Sequence, residues 1–206
     1  MNPARLVLPA LRWREDGGFA HEDGTIGEAL DLGVGGFIVF GGTVASVAEL
    51  TGELEKRAGR PLLLASDLER GAGQQIRGLA EIPPPRALAT LGDPRIAYDA
   101  GLLTGSQARE VGLNWVLAPD ADLDCEPANP IVQTRAFGDD PEVVARLVDN
   151  WVRGCQASGA LACVKHYPGH GRTTVDSHAE LPTVDAPASA LSSEDRVPFN
   201  AGIRAG

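Results

Sequence analysis

The sequence of 206 residues predicts an α/β fold whose sheet is parallel and built from repeated β-α units. Short apolar runs alternate with longer amphipathic segments along the chain, which is the pattern of such units. Two of the short runs, residues 37–40 and 62–65, are continuously apolar. This is expected of parallel strands that are covered on both faces.

The strands are predicted at residues 5–11, 36–40, 62–66, 115–118 and 161–165. Amphipathic periodicity and capping signals predict helices at residues 25–32, 46–58, 93–111, 140–157 and 193–205. The second strand is followed by a helix that stops at Gly59, and Asp-Pro pairs at 93 and 140 suit N-cap and first-turn positions. The prolines at 83–85 are expected to form a rigid loop. This count fits an open doubly wound sheet or the first five units of an eight-stranded barrel, which usually needs ~250 residues.

Composition and charge exclude several classes of partner. The net charge is −10 and the isoelectric point is about 4.8, so nucleic acid and anionic membranes would be repelled. The three cysteines form no CxxC pair, which argues against a zinc knuckle or a disulfide framework, and Cys163 is expected to be a small buried apolar side chain.

The apolar stretch at residues 6–11 is too short for a signal sequence and contains Pro9. No apolar run approaches the ~20 residues of a membrane span, so a cytoplasmic protein is expected.

Residues 165–178 are the most informative stretch, and they read KHYPGHGRTTVDSH. Three of the four histidines stand here with a lysine and an aspartate, between glycine and proline residues. Such a segment has no apolar face to bury, so it is predicted to be a loop. A loop that concentrates groups able to move protons or bind polar ligands, directly after a strand, indicates an active site.

Polar residues also follow the other predicted strands. Asp67 follows the third strand, Arg135 lies in the segment after the fourth, and Lys165 and His166 end the fifth. Parallel α/β sheets and barrels place their ligand sites at the carboxyl ends of the strands, so these side chains are predicted to meet there.

Two structural alternatives remain open for this group of residues. Arg135 could pair with Asp139 or Asp140 instead of a ligand. Asp122 and Asp124 could bind a ligand or could each cap a turn, because aspartate after a strand often does so.

The chain resembles the N-terminal part of the family-three glycoside hydrolases, and within them the β-N-acetylhexosaminidase group. The matching segments span nearly the whole chain, and they are residues 33–38, 67–69, 119–124 with 129–130, 135–138, and 165–169 through 176–178. The resemblance implies a (β/α)8 TIM-type barrel and hydrolysis of terminal β-linked N-acetylglucosamine with retention of configuration. It also implies that residues 1–206 are one catalytic-barrel domain, incomplete at its C-terminal end after about five β-α units.

The resemblance assigns roles to individual residues. It implies that His178 transfers the proton, as acid and base, with Asp176 tuning it. An aspartate can fix the tautomer of a nearby imidazole and raise its basicity, but the i, i+2 spacing requires the loop to turn. The same resemblance implies that sugar hydroxyls are held by the side chains of Asp67, Arg135, Lys165 and His166. The nucleophilic aspartate is expected on a later strand, beyond residue 206.

Three other functions remain open. One is β-glucosidase-type specificity, and another is a sugar-binding remnant without turnover. The third is a metal-dependent hydrolase, with ligands drawn from His166, His170, Asp176 and His178, although no HExxH spacing places two histidines on one helix face. The leading interpretation requires no metal or other cofactor and a carbohydrate as the partner.

Overall fold

The computed structural model describes residues 2–206 and contains one sheet of five parallel strands. They are β1 (Ala10–Arg12), β2 (Gly36–Phe40), β3 (Leu63–Ser66), β4 (Trp115–Val116) and β5 (Leu161–Ala162). The strands lie side by side in chain order. A doubly wound sheet reverses its order at a switch point, whereas a barrel keeps it. The order confirms a TIM-barrel-like fold and excludes the doubly wound alternative.

Each strand is followed by a long helix, which completes five β-α units. The helices are α1 (Asp23–Leu32), α2 (Val44–Ala58), α3 (Pro85–Ala89), α4 (Pro94–Glu110), α5 (Pro141–Ala157), α6 (Ala188–Ala190) and α7 (Arg196–Ala205). A π-helical turn, Leu191–Asp195, joins α6 to α7, and 3-10 turns occur at Pro3–Leu6, Ala20–Glu22, Ala72–Gln74 and Gln133–Arg135. Within residues 2–206, no helix combines the length and the apolar character needed to cross a membrane.

Side-chain caps fix where the main helices begin. The carboxylate of Asp93 accepts a hydrogen bond from the first turn of α4, and that of Asp140 accepts two from α5. Both predicted starts are confirmed to within one residue. The α2 helix begins at Val44 rather than at Ser46, because Thr43 and Ser46 form a reciprocal capping box.

The first predicted strand, residues 5–11, is largely wrong. Pro3 starts a 3-10 turn that Asn2 caps, and the chain becomes a strand only at Ala10. The side chains of Leu6 and Val7 are exposed, so the apolar residues of this stretch mark no buried strand.

Smaller differences concern where several elements begin or end. The Pro83–85 region is not only loop, because Pro85 begins the short helix α3. The last helix begins at Arg196 rather than at residue 193. Strands β4 and β5 are shorter than predicted, yet the amide of Cys163 donates to the carbonyl of Ala118 and that of Lys165 to Pro119. These bonds continue the parallel pairing towards the carboxyl end of the sheet.

Glycines allow α4 and α5 to pack backbone against backbone. A Cβ atom on Gly101 of α4 would lie 2.2 Å from the carbonyl oxygen of Trp151, and one on Gly154 of α5 would lie 2.0 Å from that of Tyr98. The Trp151 side chain is fully buried at this contact. The core between sheet and helices also buries Phe37.

Candidate functional site

A polar cavity of about 600 Å³ opens at the carboxyl ends of β3, β4 and β5. Five of the six residues predicted for the site line it, and the sixth, Asp176, contacts one of the five. The lining consists of Asp67, Glu69, Arg70, Gln74, Gln75, Pro84, Leu117, Thr134, Arg135, Cys163, Lys165, His166 and His178.

Two cations and two carboxylates form an ion-pair network in this cavity. The Nζ of Lys165 lies 2.5 Å from Asp67 Oδ1 and 2.7 Å from Glu69 Oε1. The guanidinium of Arg135 donates to both oxygens of Glu69, at 2.8 and 2.7 Å. This pairing replaces the alternative in which Arg135 binds Asp139 or Asp140. The network fixes four polar side chains relative to one another.

Burial disfavours the ionised forms of the side chains in this network, but the ion pairs stabilise those forms more strongly. Burial alone would raise the pKa of Glu69, but the Arg135 hydrogen bond and the neighbouring positive charges lower that pKa to about 2. Burial also disfavours the charged form of Lys165, whereas the carboxylates of Glu69 and Asp67 raise its pKa overall. Glu69, Arg135 and Lys165 are therefore ionised at neutral pH.

The imidazole of His166 is held on both sides. Its Nδ1 lies 2.7 Å from Asp122 Oδ2, and its Nε2 lies 3.3 Å from Nη2 of Arg135. A guanidinium has only N–H donors and a carboxylate only acceptors, so Nδ1 carries the proton and Nε2 accepts. The side chain of Asp122 is fully buried, and its other oxygen accepts the backbone N–H of His170 at 2.6 Å.

The loop of residues 165–178, here called the histidine loop, is anchored in its first half by hydrogen bonds and an ion pair. The Nδ2 of Asn129 donates to the carbonyl of His170 at 2.9 Å, and Thr173 Oγ1 lies 2.5 Å from His170 Nδ1. The Nε of Arg172 is within 3.0 Å of both carboxylate oxygens of Asp195, whose side chain is almost fully buried. His170 thus supports the loop from inside.

Asp176 and His178 form a hydrogen-bonded pair beyond these anchors. Asp176 Oδ1 accepts the backbone N–H of His178 at 2.8 Å and lies 2.7 Å from its Nδ1. The loop therefore makes the turn that the i, i+2 spacing requires. The backbone hydrogen bond, and then the imidazole, hold the pKa of Asp176 below its usual range. With Nδ1 turned to the carboxylate, Nε2 of His178 is left for a ligand, and 83% of the side chain is exposed.

Other expectations need correction. Cys163 is not a buried core residue but half-buried in the cavity lining, and burial raises the pKa of its thiol. Asp124 binds Arg86 at 2.5 Å, and Arg70 pairs with Glu81 at the rim. The metal ligand set His166, His170, Asp176 and His178 is also wrong.

Within residues 2–206, the group of potential ligands that includes His166 contains Asp120 and Asp122 instead. Sequence reasoning gave no role to Glu69 and left Asp122 undecided. One feature of the sequence could have indicated them: Glu69 stands two residues after Asp67, and Asp122 two residues after Asp120. The side chains that they bind come from distant parts of the chain, so the sequence alone does not identify these partners.

Comparison with known proteins gives a consistent result. The model of the glycosyl hydrolase family 3 N terminal domain matches residues 22–206. A beta-hexosaminidase of Xylella fastidiosa (strain M12) is 38% identical over 186 residues, which are 85% of this chain and 55% of that protein. A beta-N-acetylglucosaminidase/beta-glucosidase of Cellulomonas fimi is 36% identical over 147 residues, which are 71% of this chain and 26% of that protein.

A solved structure has the same fold. The glycoside hydrolase family 3 beta-N-acetylglucosaminidase from Paenibacillus sp. str. FPU-7 superimposes with a TM-score of 0.91 at 36% identity, over 98% of this chain and 39% of that one. The chain spans about half the length of the Xylella relative. The family match covers most of the chain and agrees with the strand order. The chain therefore belongs to glycosyl hydrolase family 3, of which it carries the N-terminal domain.

Proposed function

We propose that the protein hydrolyses terminal, non-reducing β-linked N-acetylhexosamine, above all N-acetylglucosamine, with retention of configuration. The observation that carries this proposal is the hydrogen-bonded pair of Asp176 and His178 at the rim of a polar cavity. Relatives named beta-hexosaminidase and beta-N-acetylglucosaminidase support it.

Sugar hydroxyls are bound by the side chains of Asp67, Arg135, Lys165 and His166. Each of them lines the cavity and is already held by an ion pair or hydrogen bond. Charge-assisted hydrogen bonds to hydroxyl groups are short and directional. Because the network is formed before the sugar arrives, little side-chain entropy is lost on binding.

His178 transfers the proton between the enzyme and the glycosidic oxygen. Its Nδ1–H donates to Asp176, so Nε2 is the atom that gives the proton to the leaving group and later accepts one from water. Asp176 stabilises the imidazolium that forms and fixes the ring orientation. The exposed position of the pair allows the loop to approach a bound sugar.

A retaining mechanism also needs a carboxylate nucleophile. The carboxylates that line the cavity within residues 2–206, Asp67 and Glu69, are both ion-paired with Lys165. We therefore propose that the nucleophilic aspartate comes from a part of the barrel outside these residues. The greater length of the relatives supports this.

Hydrolysis of β-glucosides is the second candidate, because the Cellulomonas fimi relative is named for both activities. Sugar binding without turnover is the remaining one. The cytoplasmic location and the single domain over residues 1–206 stay predictions of the sequence.

The test is an assay of the product of the complete reading frame. We expect cleavage of p-nitrophenyl N-acetyl-β-D-glucosaminide at a higher kcat/KM than the matching β-glucoside. Proton NMR early in the reaction should show the β-anomer of the released sugar. Preference for the β-glucoside would favour β-glucosidase activity, and binding without cleavage would favour a sugar-binding role. Release of the α-anomer would contradict retention of configuration.

A further inference from the structure

Asp120 carries a buried carboxylate oxygen without a hydrogen-bond partner. Its side chain has no solvent exposure, and its Oδ1 accepts the backbone N–H of Asp122 at 2.9 Å. The Oδ2 atom has no hydrogen-bond partner anywhere in the described chain, residues 2–206. Buried polar atoms are nearly always paired, because an unpaired one costs several kcal/mol in the extreme. The free oxygen therefore marks the position of a ligand.

The surroundings of this oxygen are a set of three donor atoms. One ligand atom from each of Asp120, Asp122 and His166 lies within 4.8 Å of the other two. The imidazole nitrogen is 2.7 Å from Asp122 and 3.9 Å from Asp120. Ligand atoms bound tetrahedrally at ~2.0–2.1 Å from Zn²⁺ lie about 3.3 Å apart. The two separations measured from Nδ1 of His166 each differ from this value by about 0.6 Å, so small shifts of the side chains would bring these atoms to ligand spacing.

Backbone hydrogen bonds orient both carboxylates for this purpose. The N–H of Asp122 holds Oδ1 of Asp120, and the N–H of His170 holds Oδ1 of Asp122. Oδ2 of Asp120 is left without a hydrogen bond, and Oδ2 of Asp122 faces Nδ1 of His166 and also accepts the backbone N–H of that residue at 3.2 Å. Outer hydrogen bonds of this kind fix the orientation of metal ligands in proteins.

The charge balance of the site favours a divalent cation. Glu69 neutralises Arg135 and Asp67 neutralises Lys165, which leaves two buried carboxylates, Asp120 and Asp122. The nearest cation to Asp120, Nε of Arg135, is 3.7 Å away, which is too far for a hydrogen bond. A doubly charged ion would neutralise both carboxylates at once.

We propose that Asp120, Asp122 and His166 bind one divalent transition-metal ion such as Zn²⁺. An imidazole ligand disfavours Mg²⁺ and Ca²⁺, which prefer oxygen. The ion reaches the cluster from the cavity, which His166 lines, and water from the cavity completes its coordination. On binding, Nδ1 of His166 gives up its proton and directs its lone pair at the metal. The proton moves to Nε2, so that the ring stays neutral, and the hydrogen bond that Nε2 accepts from Arg135 is lost.

Calorimetric titration of the chelator-treated chain with ZnCl₂ tests this proposal. The background variant Cys125→Ser/His178→Ala removes two exposed donors, and Asp120→Asn is compared on that background. We expect one Zn²⁺ per chain in the background variant and at least ~10-fold weaker binding after Asp120→Asn. Zn²⁺ at 100 times its Kd should raise the Tm of the background variant by about 5–10 °C. Mg²⁺ and Ca²⁺ should produce neither effect.

A second measurement does not depend on the folding of the Asp120→Asn chain. One equivalent of Zn²⁺ should move the imidazole NMR signals of His166 in the background variant and leave those of His21 in place. Absence of Zn²⁺ binding, equal affinity after Asp120→Asn, or unmoved His166 signals would each overturn the proposal.

Discussion

The ion pairs of Glu69 make a quantitative prediction about acid stability. The carboxylate of Glu69 is only 6% exposed, so solvent screens its interactions little. Its pKa falls from 4.5 to about 2 on folding. At 1.36 kcal/mol for each pKa unit, the ionised form contributes about 3 kcal/mol to the free energy of unfolding. Because the folded-state pKa is the lower one, this contribution is present above pH 4.5 and is lost between pH 4.5 and pH 2.

The substitution Glu69→Gln removes the charge and keeps the shape of the side chain. We expect it to lower the free energy of unfolding at pH 7 by about 3 kcal/mol, since Arg135 and Lys165 lose their shared partner. The difference from the wild type should shrink as the pH falls below 4.5, because the wild type then loses the same interaction. Urea unfolding followed by circular dichroism at pH 7, 5, 4 and 3 measures it.

The matched control is Glu15→Gln, which removes a fully exposed carboxylate paired with Arg77. An exposed pair in high-dielectric surroundings contributes little, so this variant should unfold like the wild type at each pH. Equal stability of Glu69→Gln and wild type at pH 7 would refute the reasoning. A difference that stays constant from pH 7 to pH 3 would refute it as well.

Three further predictions concern catalysis, binding and packing. In the complete gene product, His178→Ala should lower kcat by ~10²–10⁴-fold and leave KM nearly unchanged, and equal losses in both would contradict proton transfer. Asp67→Ala should raise KM by about 10–100-fold, as expected for the loss of a charge-assisted hydrogen bond, and an unchanged KM would count against sugar contact. Gly101→Ala should lower the free energy of unfolding by at least ~1–3 kcal/mol, because its Cβ would lie 2.2 Å from a carbonyl oxygen of α5. The control is Gly52→Ala in α2, where the added Cβ has no atom within 4 Å. This control should raise the free energy of unfolding by about 0.5–1 kcal/mol. Equal effects of the two substitutions would show that the contact between α4 and α5 is looser than described.

Local patterns predicted those parts of the fold that local chemistry decides. The strand at residues 36–40 was predicted to the residue, because a continuous apolar run of strand length between glycines is typical of a parallel strand covered on both faces. The Asp-Pro starts of α4 and α5 were predicted because a cap acts on the turn beside it. The strand at residues 5–11 failed, because the apolar Leu6 and Val7 face solvent beside a proline-initiated turn.

The site shows the same division between local and distant determinants. The rule that ligands bind at strand ends indicated Asp67, Lys165 and His166, and all three line the cavity. It could not tell Asp120 and Asp122 apart, since the two residues are alike in sequence.

In the structure, Asp120, Asp122 and Asp124 stand at alternate positions of the chain but have different partners. Asp122 binds His166, Asp124 binds Arg86, and Asp120 is left with a free oxygen. Those partners lie 38 to 44 residues away along the chain, so only the folded register selects them.

We propose that the cavity at the strand ends binds an N-acetylhexosamine between the ion-pair network and the loop of residues 165–178. The most direct test of this proposal is an NMR titration of the protein with N-acetylglucosamine, in which the four histidine rings serve as reporters. We predict that the signals of His166 and His178 shift together along one saturable curve, while those of His21, outside the cavity, stay in place. Unmoved His166 and His178 signals, or shifts confined to His21, would contradict the account.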